Sequence, residues 1–153
     1  MATPTPWWTV FGAFLARIEE DDWMREEDQE IVQQDLLQIL GMAAFDFRFP
    51  RVSLDLDYLN ETFVSELSNA EIQVLATFMK VHWLRRQINT WRVIKQQYST
   101  KDFELSSQAN HLDKLIKSLE SAEKEAKRAL DTYDRSRSHG VYTYSSLAGG
   151  TPE

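Results

Sequence analysis

The chain has 153 residues, a formal net charge of −7 and no cysteine. That length suits one domain with a core of its own, and the missing thiols exclude disulfides, thiol nucleophiles and cysteine-based zinc sites. The negative charge, with no basic patch in the sequence, opposes sequence-specific binding of DNA or RNA, because the counterion-release term that drives such binding needs clustered Lys and Arg. The longest apolar runs fall short of the ~20 residues that cross a bilayer, and Met1 is followed by Thr and Pro rather than a basic segment, so neither a membrane span nor a signal peptide is expected.

Residues 1–8, MATPTPWW, read as an N-terminal arm kept out of regular structure by Pro4 and Pro6. Trp7 and Trp8 either fold back on the core or reach a partner, which makes both candidate docking residues. A short amphipathic helix begins near Thr9, with Phe11, Phe14, Leu15 and Ile18 at helical spacing and Thr5 or Thr9 as its cap. Residues 19–30, EEDDWMREEDQE, then hold eight carboxylates and one Arg. Residues 1–60 carry 12 acidic and 4 basic side chains, against 12 and 13 in the rest, so the acidity belongs to the N-terminal part. This run is a polar connector, which serves either as a negative wall or as a source of acids for the next helix N-terminus, where the dipole favours them.

From Asp28 a second helix follows, carried by Ile31, Leu36, Leu37, Ile39, Leu40 and Ala44, and ends near Phe45 because Pro50 forbids continuation past Phe49. Residues 45–60 form an extended arm: Val52, Leu54, Leu56 and Tyr58 alternate with Arg51, Ser53, Asp55 and Asp57. One strand makes no sheet, so this segment either lies as a loop across helices or pairs with the C-terminal tail or a neighbouring subunit.

Residues 68–98 are the central helix, the longest run without Gly or Pro. Ser68 and Glu71 form a capping box at its start. Ile72, Leu75, Ala76, Met79 and Trp83 share one side, and Val74, Val81, Leu84, Ile88 and Trp91 the other, so two partners are expected. After the interruption YSTKDFEL, Ser106 or Ser107 restarts a last helix. Its seam of Leu105, Ala109, Leu112, Ile116, Leu119, Ala126, Leu130 and Tyr133 has heptad spacing, with Glu123 intruding. The short connection makes the two long helices an antiparallel hairpin. From Ser136 the chain turns Gly-, Ser- and Thr-rich; residues 136–153 read as a C-terminal docking tail whose Val141, Tyr142, Tyr144 and Leu147 order on a partner. The fold class is therefore all-α: one helical domain over 1–135, a small bundle with flexible terminal tails.

Catalytic chemistry has little to stand on. His82, His111 and His139 lie on different segments without metal-ligand spacing, and no phosphate-cradling glycine loop or nucleophile elbow occurs. No catalytic, cofactor-binding or metal residue is assigned, and no cofactor is expected.

The order FRFPRVSL, LSNAEIQVLATFMKVHWLRRQI and YSTKDFELSSQANHLDKL resembles a family of tailed-bacteriophage head–tail connector (adaptor) proteins, over residues 45–135. The resemblance implies an all-helical, non-enzymatic subunit of a virion, assembled in the host bacterial cytoplasm. Its copies would form a ring, usually dodecameric, between the portal protein and the next tail-side component. Genomic DNA would pass through that ring as cargo. A channel that DNA must not adhere to calls for carboxylates; the candidates are Glu19, Glu20, Asp21, Asp22, Glu26, Glu27 and Asp28, with an outer or capping position the alternative for them. The competing reading is a non-viral helical interaction or regulatory module that uses the Leu105–Tyr133 seam.

Overall fold

A computed structural model describes residues 2–18, 28–97 and 105–147, with Lys95, Gln97, residues 105–108 and the stretch from Arg137 onward described by the backbone alone. Four helices account for most of it: α1 (Trp7–Leu15), α2 (Gln29–Asp46), α3 (Asn69–Gln97) and α4 (Leu105–Leu147). A small hairpin, β1 (Leu56–Asp57) and β2 (Thr62–Phe63), lies between α2 and α3. The all-α bundle, with a long central helix packed on a long C-terminal one, is the architecture expected from the periodicity.

α3 begins as the capping box requires. The Ser68 N–H donates to Glu71 Oε2 at 2.7 Å, and the Glu71 N–H donates to Ser68 Oγ at 3.3 Å. Its two stripes have two sets of partners. Ile72, Leu75, Ala76 and Met79 are buried with Trp7, Val10, Phe11 and Phe14 of α1 and Leu36, Ile39, Leu40 and Ala43 of α2. On the other side Val81 and Leu84 pack on Ala122 and Ala126 of α4, whose small side chains let the two backbones approach. Leu130 and Tyr133 carry α4 into the main core. Glu123, the intruder in the seam, is exposed and pairs with Arg85 of α3 at 2.9 Å.

Polar pairs fix the position of α2 against α3. Arg86 holds Asp35 with two hydrogen bonds, 2.5 and 3.0 Å, and His82 Nε2 lies 2.5 Å from Asp46 Oδ2. Asp28 caps α2 by accepting from the Glu30 N–H at 3.0 Å, so for this acid the capping role is the one observed. Glu19, Glu20, Asp21, Asp22, Glu26 and Glu27 lie outside the described residues.

Three expectations need correction. The N-terminal arm is part of the fold: Thr5 N donates to Ser65 O, Phe63 N to Thr5 O and Trp7 N to Glu61 O, and α1 starts at Trp7 rather than near Thr9. Thr5 caps no helix, because its hydroxyl accepts from the Leu67 N–H at 2.8 Å. Second, residues 45 and 46 close α2, and the alternating segment lies against the helical core through Val52, Leu54 and Leu56, as expected of a loop across helices, but does not stand alone as a strand. It folds into the hairpin β1–β2, in register Leu56↔Phe63, and the N-terminal arm bridges to it at Pro6↔Thr62. Third, the backbone from Ser136 does not leave the helix; α4 runs through Leu147. No proline occurs between Leu105 and Leu147, and one glycine, Gly140, costs a helix only about 1 kcal/mol, so a helix already nucleated extends through Ser, Thr and Tyr.

The hairpin turn is held by Asp57, whose carboxylate accepts from the Asn60 side-chain amide (2.6 Å) and from the Asn60 and Leu59 N–H groups (3.2 and 3.0 Å). The Asn60 side-chain bond, then its backbone bond, hold this carboxyl below the usual carboxylate range. A depressed folded-state value means that the turn gains from Asp57 above the ordinary carboxylate pKa and loses that gain as pH falls through the lowered one. An NMR titration should therefore show the Asp57 carboxyl titrating below the ordinary carboxylate range, with the Asn60 amide shift following it, and Asp57→Ala should remove that coupled titration.

Candidate docking surfaces

Trp7 and Trp8, adjacent in sequence, have opposite surroundings. Trp7 is 2% exposed, donates its indole N–H to Thr62 O at 2.7 Å and meets Tyr58 edge-on at 5.3 Å. It is a core residue that joins α1 to the hairpin, which corrects its candidacy for docking. Trp8, one helical step round, is 47% exposed and rests edge-on against Phe11, leaving one face to water. Val141, Tyr142, Tyr144 and Leu147 lie on the last turns of α4, and their side chains are outside the described part of the molecule.

The exposed apolar surface that the sequence pattern did not mark lies at the C-terminal end of α2 and around the hairpin. Phe45 is 89% exposed, Phe49 70% and Leu59 90%, with Tyr58 and Val64 also largely in water. A cleft of about 360 Å³ separates α2 from the hairpin, with Gly41 and Ala44 on one wall and Leu54, Leu56 and Tyr58 on the other. Phe45 stands on the face of α2 opposite Leu36, Leu40 and Ala43, so it points away from the core. Single exposed apolar residues are ordinary, whereas large contiguous apolar patches are characteristic of interaction surfaces.

Phe49 has a second peculiarity. Its φ is 53°, in the left-handed region, immediately before Pro50. A bulky residue there costs of order 1–3 kcal/mol, and a following proline already narrows the choice of backbone. The flanks impose it. On one side Phe47 is buried edge-on against Tyr133, 5.0 Å between rings. On the other the Arg51 N–H donates to Tyr133 Oη at 2.8 Å, and the Arg51 guanidinium lies over the Tyr133 ring and donates to Ser136 Oγ. A chain tied down at 47 and 51 turns sharply between them and presents Phe49 outward.

Tyr133 is the hub of this end. Its hydroxyl accepts from Arg51 N and donates to Glu71 Oε1 at 2.9 Å, while the other carboxylate oxygen of Glu71 closes the capping box. Burial, with the Glu71 carboxylate beside it, pushes the Tyr133 phenol up. Glu71 was legible only as a cap; its link to Tyr133 spans 62 residues and has no local signal.

Of the histidines, His82 is bonded to Asp46, and His111 meets Trp91 edge-on at 4.7 Å. Among the described residues no group of three or more His, Asp or Glu is placed to hold a metal ion, and no helix is long and apolar enough to cross a membrane. Comparison with models of known families, with curated proteins and with solved structures finds no match to this chain.

Proposed function

We propose that the chain is a structural subunit of the bacteriophage head–tail junction: copies form a ring on the portal, extend the channel for DNA and receive the next tail-side component. The observation that carries this reading is the group of large apolar side chains in water at the end of α2 and on the hairpin, Phe45 and Leu59 above all. A helical subunit of this size gains nothing by itself from exposing them. Head-to-tail contacts, in which different patches of one copy meet the next, cover such surfaces all round a closed ring. The resemblance of residues 45–135 to connector proteins supplies the assembly in which that ring would sit.

The mass of the particles formed with a portal tests the reading directly. Mixed with portal rings, the chain should bind as a fixed integral number of copies, and Phe45→Ser or Leu59→Ser should weaken that assembly while leaving the helical circular dichroism intact. A chain that stays monomeric beside the portal at tens of micromolar would remove the connector reading. A second reading, a non-viral helical interaction module, draws on the first half of α4, where Leu112 and Ile116 are only half-buried. It predicts capture of a separate partner helix along that seam, with no particle of integral stoichiometry on the portal.

A further inference from the structure

Where the end of α1, the middle of α3 and the first half of α4 meet, a groove of about 620 Å³ opens to solvent. Arg17, Lys80, Lys114 and Lys117 stand round it, with His111 at one end and Trp83 in its wall. Ile18, Leu84 and Leu115 complete the apolar part, and no described carboxylate lines it. In a chain with 24 acidic and 17 basic side chains, four cations round one groove run against the composition. Arg17 is fixed by its donations to Ala13 O at 3.1 Å and to the Gln73 side-chain carbonyl, and lies 4.0 Å from Glu125. Lys80, Lys114 and Lys117 have no ion-pair partner among the described residues.

The sequence contains a segment of the complementary chemistry. Residues 19–27, EEDDWMREE, place Trp23 and Met24 between two groups of carboxylates, an apolar centre with anionic flanks. The groove has an indole and aliphatic floor with cationic flanks. We propose that this groove receives the acidic segment 19–27 of a second copy of the chain, carboxylates meeting Arg17, Lys80, Lys114 and Lys117 and the Trp23–Met24 pair meeting the apolar floor. The charges set register and speed of encounter, and the buried indole contributes most of the holding energy. Such a contact hands a segment of each copy to the next, a heterologous interface that a ring closes, and it rests on the ring reading for its partner. Nucleic acid is the weaker occupant. A phosphate backbone has no apolar centre to match the floor of Ile18, Trp83, Leu84 and Leu115.

A charge exchange between copies tests this. One variant reverses the groove (Lys80→Glu, Lys114→Glu, Lys117→Glu) and another reverses the segment (Glu19→Lys, Glu20→Lys, Asp21→Lys, Asp22→Lys). Each is followed by sedimentation, alone and in equimolar mixture, with circular dichroism to confirm the fold; Lys114→Gln with Lys117→Gln serves if the triple change does not fold. Each variant alone should self-associate roughly tenfold or more weakly than the unmodified chain, whose own association should fall as salt rises. The mixture should associate again, because the acidic groove of one variant now fits the basic segment of the other.

Variants that stay monomeric when mixed would place the segment in the groove of its own chain and overturn the exchange. Variants that associate like the unmodified chain would overturn the groove proposal and leave the ring standing, whereas an unmodified chain that never associates would remove both. Association through the groove without a closed particle on the portal would keep the proposal and remove the connector reading. Binding of a short DNA duplex that the groove variant loses, with self-association unchanged, would assign the groove to nucleic acid instead.

Discussion

Trp7→Ala should lower the stability of the subunit by about 3–5 kcal/mol, the largest loss expected from any single side chain in the N-terminal third. The indole is almost wholly enclosed by the core that α1 shares with α2, α3 and the hairpin, so its removal leaves a cavity the neighbours cannot fill. It also deprives Thr62 O of its 2.7 Å donor in a partly buried place, worth about 1 kcal/mol more. Since Trp7 N and Thr5 bind the hairpin from the same stretch of chain, the loss should spread to the hairpin. Amide exchange at Phe63 and Val64 should accelerate well beyond what the drop in global stability produces. Trp7→Phe keeps most of the ring and loses the N–H, and should cost roughly 1–2 kcal/mol. Trp8→Ala, one position along, is expected within about 0.5 kcal/mol of the unmodified chain, because its ring already faces water. Urea midpoints of the three variants measure these differences, and equal losses at Trp7 and Trp8 would contradict the burial that separates them.

The parts of the fold that could be read in the sequence are those with local causes. The capping box of Ser68 and Glu71 spans three residues, and the two stripes of α3 repeat every turn, so both show in a window of a dozen residues. The pairing of residues 3–7 with 61–67 has no such signal. It links segments nearly sixty residues apart through backbone groups that every sequence possesses, and two prolines made the arm look unstructured. The end of α4 was concealed by composition: Ser, Thr and Gly erase the apolar period without breaking a helix that is already formed.

The surfaces were less legible still. Phe45 belongs by spacing to no face, and its exposure follows only from where the core lies; Phe49 points outward because its neighbours are tied to Tyr133 from two sides. The grouping of Arg17, Lys80, Lys114 and Lys117 depends on three helices meeting, so no local pattern in the sequence marks it as a basic patch.

Glu71 and Tyr133 should prove strongly coupled, and a double-mutant cycle with a pH series is the measurement that shows it. Glu71→Ala removes the acceptor of the Ser68 N–H and leaves the Tyr133 hydroxyl, buried, without its acceptor, for a combined loss of about 2–4 kcal/mol. Tyr133→Phe conserves the ring that packs on Phe47 and lies under Arg51, but takes a donor from Glu71 and an acceptor from the Arg51 N–H, for about 1–3 kcal/mol. Once one partner is gone the second substitution has less to remove, so the double variant should lose less than the sum, by about 1 kcal/mol or more. The pH dependence has a definite sign. With the folded-state phenol raised above its ordinary value, its contribution is fully present below ~10 and is lost as pH climbs through the raised value, where an ionised Tyr133 would sit beside the Glu71 carboxylate. Unmodified protein should therefore lose stability above that pH faster than Tyr133→Phe does. Losses that add, together with parallel pH curves for the two proteins, would show that the hydroxyl sits beside Glu71 without holding the turn between Phe47 and Arg51, the start of α3 and the body of α4 together.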